Sequence, residues 1–196
     1  MTKQPIGVFI SGRGTNLQSI INASKNENFP CKVKIVFSDN HNAKGIDLAK
    51  ESGIDTFSLE IKDFKNKREF EEQILKLIKP YDLRLICLAG FMKILSSEFI
   101  EHYPNKILNI HPSLLPKYGG KGMYGHNVHK KVIENKDEYS GFTIHYVNEN
   151  YDKGDIIFQK KTKIKSPNAE GLAKAILKSE HEYYPKIIFN LLNGQP

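Results

Sequence analysis

An amide and an imidazole stand two residues apart where an apolar run meets a proline-bounded loop. Asn109 and His111 follow the apolar pair 107–108, and Pro112 comes directly after them. Residues two apart on a β-strand point to the same face, so both side chains can donate hydrogen bonds to one oxygen. Such a pair suits an oxygen that becomes negatively charged during acyl transfer, and it does not suggest covalent attack. Asn109 and His111 are therefore the first candidates for catalysis.

A carboxylate in a second loop could complete this group. Asp152 lies in segment 148–154, two residues before Gly154, in a pattern typical of a turn. A carboxylate beside an imidazole favours the protonated, positively charged ring. Taken singly, each of the three residues also has a simpler interpretation. An Asn or His at a strand end satisfies nearby backbone groups, and an Asp before a glycine shapes the turn.

Three motifs carry a resemblance to a known family. Segment 109–116 (NIHPSLLP) resembles the signature of the folate-dependent formyltransferases, and Asp152 stands where their catalytic aspartate stands. Segments 11–17 (SGRGTNL) and 88–95 (LAGFMKIL) resemble the members that act on 5-phosphoribosylglycinamide. The similarity extends from about Ile6 to Tyr184. Because these motifs are long and occur in the family's order, the resemblance is specific.

The resemblance implies an activity and a set of catalytic residues. A formyl group would pass from the co-substrate 10-formyltetrahydrofolate to the amine of 5-phosphoribosylglycinamide, in purine biosynthesis, with neither a metal nor a covalent intermediate. Asn109 and protonated His111 would stabilise the oxyanion, and Asp152 would keep His111 charged and oriented. His145 resembles a family histidine near the active centre and would have a supporting role.

The resemblance also assigns residues to the phosphorylated substrate. Gly14, Thr15 and Asn16 would hold the 5′-phosphate, and Glu180 would hold the ribose. The residues themselves indicate a strand that ends and a helix that begins, where free N–H groups bind anions. Leu17 replaces the third glycine of a dinucleotide fingerprint, which disfavours a dinucleotide. A tight strand-to-helix turn is the simpler interpretation of this segment.

For the folate, the resemblance assigns one helix residue, one apolar segment and the catalytic amide. The contacts it implies are Arg68, Met92, Lys93, Ile94, Leu95 and Asn109. The segment would supply apolar walls and backbone hydrogen bonds to the flat heterocycle. Some members of the family carry an arginine where Lys93 stands, so a bidentate contact does not transfer to this chain. Without the resemblance, Arg68 would be a solvated charge on a helix.

The composition suits one globular domain spanning 1–196. The chain has 39% hydrophobic and 10% aromatic residues, as is ordinary for a soluble protein. It lacks a membrane-span pattern and a signal-peptide pattern, which favours a cytoplasmic protein. Cys31 and Cys87 fall in apolar segments and are expected to be buried thiols. His126 and His129 lack a carboxylate at ligand spacing and are expected to be solvated.

The net charge of +7 leaves two classes of protein open. The lysines are scattered, which favours a basic enzyme that attracts an anionic phosphate and an anionic folate tail. The alternative class is a non-catalytic module that binds RNA or a phosphorylated ligand. Among enzymes, the other acceptors are water, methionyl-tRNA and an amino sugar nucleotide, for which the related proteins usually carry extra domains.

The order of apolar runs predicts a doubly wound, mostly parallel α/β sheet of the Rossmann-like formyltransferase kind. The predicted strands are 6–10, 33–37, 56–59, 83–89 and 107–110. The predicted helices between them are 16–26, 43–52, 65–79 and 96–102. This alternation favours a parallel sheet, whose ligands gather at the carboxyl ends of the strands. The last third predicts an antiparallel strand pair and a closing helix, over 141–147, 155–159 and 168–190.

Segment 117–125 separates these two parts and contains four glycines in nine residues. This composition is too flexible for a regular element. It suits a lid, a loop that contacts phosphate, or an ordinary surface connection, and the sequence leaves these alternatives open.

Overall fold

A seven-stranded sheet forms the middle layer of the structure, a computed structural model that describes residues 3–194. The strands are β1 (Gln4–Ile10), β2 (Cys31–Ser38), β3 (Asp55–Ser58), β4 (Leu85–Leu88), β5 (Ile107–His111), β6 (Tyr139–Tyr146) and β7 (Ile156–Lys163). They lie in the order β3-β2-β1-β4-β5-β6-β7. Strands β1 to β5 are parallel to one another, whereas β6 is antiparallel to both β5 and β7. The predicted fold class is confirmed.

Helices cover both faces of this sheet. The α-helices of the described residues are α1 (Thr15–Ser24), α2 (Lys44–Glu51), α3 (Lys67–Ile78), α4 (Ser97–Glu101), α5 (His126–Glu134) and α6 (Ala169–Leu192). Short 3₁₀ turns occur at Ile61–Asp63 and Lys79–Tyr81. Every predicted helix is present, and α6 closes the fold as expected. Within residues 3–194, no helix is long and apolar enough to cross a membrane.

Several strand bounds shift, as for β4, predicted over 83–89 and observed over Leu85–Leu88, and two elements differ more strongly from the prediction. Helix α5 was not predicted, because it follows the glycine-rich segment and buries few apolar side chains, among them Val128 and Val132. Strand β7 was predicted to end at 159 but continues to Lys163. Its last residues include several lysines, which hide the strand pattern. Lysines are typical of an edge strand, where they discourage pairing with another chain.

Side chains alternate along the strands and build a core on each face of the sheet. On β1, Ile6 and Val8 belong to the core that includes residues of α1, α5 and α6. Phe9 belongs to the opposite core, with residues of α3 and α4. There its ring packs against those of Phe37 and Phe91, at centroid distances of 5.0 and 5.6 Å. Because both faces are covered, the central strands are continuous apolar runs.

Tyr184 of α6 links the closing helix to the centre of the sheet. Its side chain is fully buried, and its hydroxyl oxygen lies 3.1 Å from the carbonyl oxygen of Leu88 and 3.3 Å from that of Leu108. These carbonyls belong to β4 and β5. Since a hydroxyl has one hydrogen, it donates to one of the two carbonyls at a time. Helix α6 is thereby attached where these two strands lie side by side.

Replacing Tyr184 by Phe should lower the free energy of unfolding by about 1 kcal/mol, because buried carbonyl oxygens lose their donor while the ring remains. Urea unfolding followed by circular dichroism measures the change. The neighbouring substitution Tyr183→Phe is the control, since the Tyr183 ring is partly buried and stacks on Phe158. Equal losses in the two variants would show that the Tyr184 hydroxyl contributes nothing specific.

Candidate active site

Strand β5 extends beyond the last residue of β4 that pairs with it. Leu88 is the register partner of Asn109, whereas His111 pairs only with Thr143 of β6. After Leu88 the chain no longer pairs with β5 but stays bonded to β1, since the Ala89 N–H donates to the Phe9 carbonyl at 2.8 Å. This departure opens a space beside the end of β5. Asn109 borders that space, as the sequence predicts for the carboxyl end of a parallel strand, and His111 follows two residues later as a buried side chain.

Asn109 is oriented by its partner across the β5–β6 pair. Its side-chain nitrogen lies 3.2 Å from Nε2 of His145. The other ring nitrogen of His145 lies 2.8 Å from the Tyr146 carbonyl oxygen, which can only accept, so Nδ1 carries a hydrogen. Burial lowers the pKa of His145, which favours the neutral ring with Nε2 as an acceptor. Asn109 therefore donates to His145 and keeps a second amide hydrogen for another oxygen.

His111 is buried, and both its ring nitrogens face protein groups. Nε2 lies 2.8 Å from the carbonyl oxygen of Tyr118 and donates to it. Nδ1 lies 3.7 Å from Oδ2 of Asp152, which is too long for a hydrogen bond but close enough for attraction to a protonated ring. Donation from His111 to a substrate oxygen therefore requires one of these nitrogens to exchange its partner.

Asp152 lies in the loop between β6 and β7 and is held by the glycine-rich segment. Its backbone has a φ of 54°, an uncommon conformation for a residue other than glycine. Its Oδ2 accepts a hydrogen bond of 2.9 Å from the Gly120 N–H, and its Oδ1 lies 3.7 Å from Nε2 of His145. One carboxylate thus faces both histidines. The structure brings Asn109, His111, Asp152 and His145 together.

A small cleft adjoins this group, and we call it the Asp152 cleft. Its volume is about 70 Å³. The residues that line it include Lys93, Ile94, Leu95, Asn109, His145 and Asp152. Four of the predicted folate residues are among them, whereas Met92 lines a different cavity. The backbone N–H of Met92 donates a hydrogen bond of 2.8 Å to Ser11 Oγ.

Arg68 lies on α3 and does not line the Asp152 cleft. It is exposed, and its Nε donates to Glu72 at 2.9 Å. The preceding residue, Lys67, pairs with a buried carboxylate of the same helix: its Nζ lies 3.6 Å from Glu71, which accepts hydrogen bonds from the backbone N–H and the hydroxyl of Ser96. The contact of Glu71 with Ser96, directly after segment 92–95, depends on the packing of α3 and has no signal in the sequence.

A larger cavity of about 410 Å³ lies on the other side of β5, and we call it the Glu180 cavity. The residues that line it include Arg13, Asn16, Met92, Ile110, Pro112, His129 and Glu180. Asn16 Nδ2 donates to Glu180 Oε2 at 2.8 Å. Two of the predicted substrate residues, from opposite ends of the chain, therefore meet in one cavity of a size usual for small ligands.

Gly14 and Thr15 lie at the start of α1, next to this cavity but not among the residues that line it. Gly14 has a φ of 73°, and a Cβ on it would lie 2.8 Å from the Cα of Gly45. A glycine is therefore required at position 14, because the backbone is left-handed there and because α2 approaches too closely for a side chain. No side chain caps α1 and its first turn contains no acidic residue, so the first N–H groups remain available to an anion.

Burial changes the ionisation of Glu180. Desolvation, partly opposed by the hydrogen bond from Asn16, raises its pKa to about 7. A carboxyl group that is half protonated near neutral pH is unusual and is often found in binding sites. The sequence contained no signal for this shift, because Glu180 belongs to a helix whose buried face is known only once α6 packs on α1.

The two histidines of α5 do not share one environment. His126 is exposed as predicted, but the prediction that His129 is solvated was wrong, since only 5% of its surface is accessible. His129 follows Val128 and lies three residues before Val132, on the buried face of α5. This helical spacing could have revealed its burial.

The two cysteines are free and buried, as predicted. Burial raises the pKa of Cys31 to about 12, and it also raises the pKa of Cys87. Both are therefore uncharged thiols rather than nucleophiles. Between residues 3 and 194, no three His, Cys, Asp or Glu side chains are grouped so that they could hold a metal ion.

Fold and site together define a class of protein. A sequence model of the formyl transferase family matches residues 5–188, and the chain belongs to this family. The predicted family and the predicted enzyme class are thereby confirmed. A folate co-substrate and small-molecule substrates are consistent with this family.

The curated relatives are more specific. The chain is 37% identical to phosphoribosylglycinamide formyltransferase of Escherichia coli (strain K12), over 97% of this chain and 88% of that protein. It is 39% identical to the enzyme of the same name from Haemophilus influenzae, over 93% of this chain and 84% of that protein. It also matches the trifunctional purine biosynthetic protein adenosine-3 of Gallus gallus, at 36% identity over 98% of this chain. The chain spans only about a fifth of that relative's length, 19%.

A solved structure agrees with these relatives. Glycinamide ribonucleotide transformylase 1 from Symbiobacterium toebii superposes with a TM-score of 0.91 at 33% identity, over 98% of this chain and 89% of that one. A second solved structure, the phosphoribosylglycinamide formyltransferase of Brucella melitensis, superposes with a TM-score of 0.90 at 36% identity, over 100% of this chain and 98% of that one. The similarity therefore covers the whole architecture described above.

Replacing Glu180 by Gln should change how stability depends on pH. A carboxyl whose pKa is raised on folding binds its proton more tightly in the folded state, so the wild type loses stability as pH rises from about 4.5 through about 7. The loss amounts to about 3 kcal/mol. The variant keeps the shape without the charge and should not show this decline. Urea unfolding at pH 4.5, 6 and 8 measures it.

The control for this experiment is Glu182→Gln, which changes an exposed carboxylate of the same helix. Its stability should follow the wild-type pH dependence closely. If Glu180→Gln follows the wild-type curve as well, Glu180 is ionised in the folded protein at no cost, contrary to the expectation from its burial.

Proposed function

We propose that this protein transfers a formyl group from 10-formyltetrahydrofolate to the primary amine of 5-phosphoribosylglycinamide. The observation that carries the proposal is that two cavities flank the end of β5. Asn109 lines the Asp152 cleft, whereas Ile110 and Pro112 line the Glu180 cavity. A transfer between two substrates needs such an arrangement, because donor and acceptor must approach one carbon atom from different sides.

We assign the acceptor substrate to the Glu180 cavity. The free N–H groups at the start of α1 would bind the 5′-phosphate, with Gly14, Thr15 and Asn16 as the contacts. Glu180 would accept hydrogen bonds from the ribose hydroxyls. Its position beside Asn16 supports this assignment, since a phosphate and a ribose of one nucleotide lie only a few bonds apart.

We assign the folate to the Asp152 cleft. Segment 92–95 would supply apolar walls and backbone groups to the pterin, and Asn109 would lie at the reacting end. Arg68 would contact the outer part of the folate, and Lys93 is the cation that lines the cleft.

In the chemical step, the amine nitrogen attacks the formyl carbon and forms a new C–N bond. The carbonyl electron pair moves to oxygen, and the amide of Asn109 stabilises the resulting oxyanion. The oxyanion then collapses, and the bond between the formyl carbon and the folate nitrogen breaks. The proton that leaves the amine passes to that nitrogen through His111 or an ordered water. Neither metal nor covalent intermediate enters this scheme.

Asp152 would act on His111, and His145 would act on Asn109. The Asp152 carboxylate lies 3.7 Å from Nδ1 of His111 and would orient the ring. Neutral His145 accepts from Asn109 and fixes the direction of its amide. We also propose that residues 1–196 work as one formyltransferase domain, which is supported by one sheet that contains strands from both parts of the chain.

The proposed acceptor can be tested by removing its phosphate. If the start of α1 binds that group, kcat/KM for 5-phosphoribosylglycinamide should exceed that for the dephosphorylated compound by about a hundredfold, the worth of two charge-assisted hydrogen bonds. Release of tetrahydrofolate at fixed 10-formyltetrahydrofolate measures the rate. Equal rates would remove the phosphate site, and equally fast release with no acceptor would identify a hydrolase instead.

Replacing Asp152 by Asn should lower kcat by about a hundredfold or more, because the negative charge beside His111 disappears. The shape and an acceptor for the Gly120 N–H are retained, so the loop should keep its position. Steady-state kinetics at saturating substrates measure the change. The control is Asp155→Asn, an exposed residue of the same loop, which should leave kcat unchanged. Near-normal turnover in Asp152→Asn would rule out the proposed role of the carboxylate.

A further inference from the structure

His129 is a buried polar residue that the proposed mechanism does not use. It lies on α5 with 5% of its surface accessible and lines the Glu180 cavity together with Asn16 and Glu180. Its Nδ1 is buried and has no hydrogen-bond partner within residues 3–194. A buried ring nitrogen without a partner is costly, so its presence in a cavity wall calls for a functional explanation.

The environment selects one form of the ring. Orphaned N–H groups are rarer in protein interiors than unsatisfied acceptors, so Nδ1 is better left without a hydrogen. The single hydrogen of the neutral ring then lies on Nε2, which is the nitrogen left to face the cavity. Burial lowers the pKa of His129 to about 4, with smaller contributions from His126 and His111, so the ring is neutral at physiological pH.

A neutral donor has a restricted choice of partner. A phosphate prefers charged donors or the N–H groups of a helix start, both of which are available elsewhere around the cavity, at Arg13 and α1. An imidazole N–H that remains uncharged suits a carbonyl or hydroxyl oxygen. The acceptor substrate of the proposed reaction carries both, in its glycinamide and in its ribose.

We propose that His129 is a substrate-binding residue whose Nε2–H donates a hydrogen bond to an uncharged oxygen of 5-phosphoribosylglycinamide. This inference rests on the proposed function and assigns α5 a direct part in recognising the acceptor. The glycine-rich segment that precedes α5 holds His111 and Asp152 through Tyr118 and Gly120. The same stretch of chain therefore contacts the catalytic group and the acceptor.

Three substitutions at this position separate hydrogen bonding from packing. The amide nitrogen of His129→Gln can reach the place of Nε2, whereas that of His129→Asn reaches only the place of Nδ1. His129→Leu keeps the bulk and removes the donor. The dissociation constant of 5-phosphoribosylglycinamide, measured by titration calorimetry without folate, should rise about tenfold in the Leu and Asn variants and less than threefold in the Gln variant.

The KM for 10-formyltetrahydrofolate should stay within twofold of wild type in all three variants, since the Asp152 cleft is untouched. The control is Lys130→Gln, an exposed neighbour on α5 that lines neither cavity and should bind like wild type. Thermal unfolding of each variant accompanies the titrations. Equal weakening in the Gln and Asn variants, in step with equal losses of melting temperature, would overturn the proposal in favour of packing alone.

The pH dependence gives a second test. Several titratable or charged groups surround His129, namely Arg13, His111, His126, Glu170, Lys174 and Glu180. Their effects cancel in the ratio of the Leu to the wild-type dissociation constant. For a neutral donor this ratio should be constant between pH 6 and pH 8. A ratio that falls tenfold over this range would reveal a cationic His129 and overturn the proposal.

The two proposals fail in different ways. If wild type binds 5-phosphoribosylglycinamide and formylates it while His129→Leu binds equally well, only the role of His129 is wrong. If wild type neither binds nor formylates this compound, the proposed function is wrong, and the role of His129 falls with it.

Discussion

The site depends on one mismatch in strand length. Strand β5 continues past Leu88, the end of β4, and is held on its other side by β6, so the backbone around His111 stays extended beside an open space. A parallel neighbour of equal length would fill that space with its own side chains. The chain after β4 stays bonded to β1 instead, and residues of segment 90–95 line both cavities. The reaction we propose occurs at this opening.

Backbone groups hold the catalytic candidates in place. The carbonyl of Tyr118 holds His111, and the N–H of Gly120 holds Asp152. Tyr118 is fixed in turn, because its hydroxyl donates to Asp137 at 2.8 Å and accepts from Asn135. The glycine-rich segment is therefore an ordered support for one side chain of β5 and one of the loop between β6 and β7. A loop in this role can transmit any change in its conformation directly to His111 and Asp152.

Burial disfavours the charged forms of three groups at the two cavities. The pKa of Glu180 rises and the pKa values of His129 and His145 fall, in each case mainly because desolvation penalises the charged form. Neutral donors and acceptors recognise hydroxyl, amide and heterocycle groups without attracting bulk ions.

Much of this protein follows from local pattern. The apolar runs predict the strands, their alternation with helices predicts the parallel sheet, and the motifs around Asn109 and Asp152 predict the family. These features depend on residues near one another in the chain, so short segments contain the information. The predictions made from the sequence were wrong at α5, at the end of β7 and at His129. There, glycines and lysines obscure the helical or strand periodicity.

Other properties were decided only by the tertiary structure. The contact between Asn16 and Glu180, the support of His111 by Tyr118 and the contact between Glu71 and Ser96 join residues that sequence order does not relate. The ionisation of Glu180 and His129 likewise depends on how completely α5 and α6 exclude water. Desolvation is a property of the packed surroundings as a whole, and no local pattern of residues determines it.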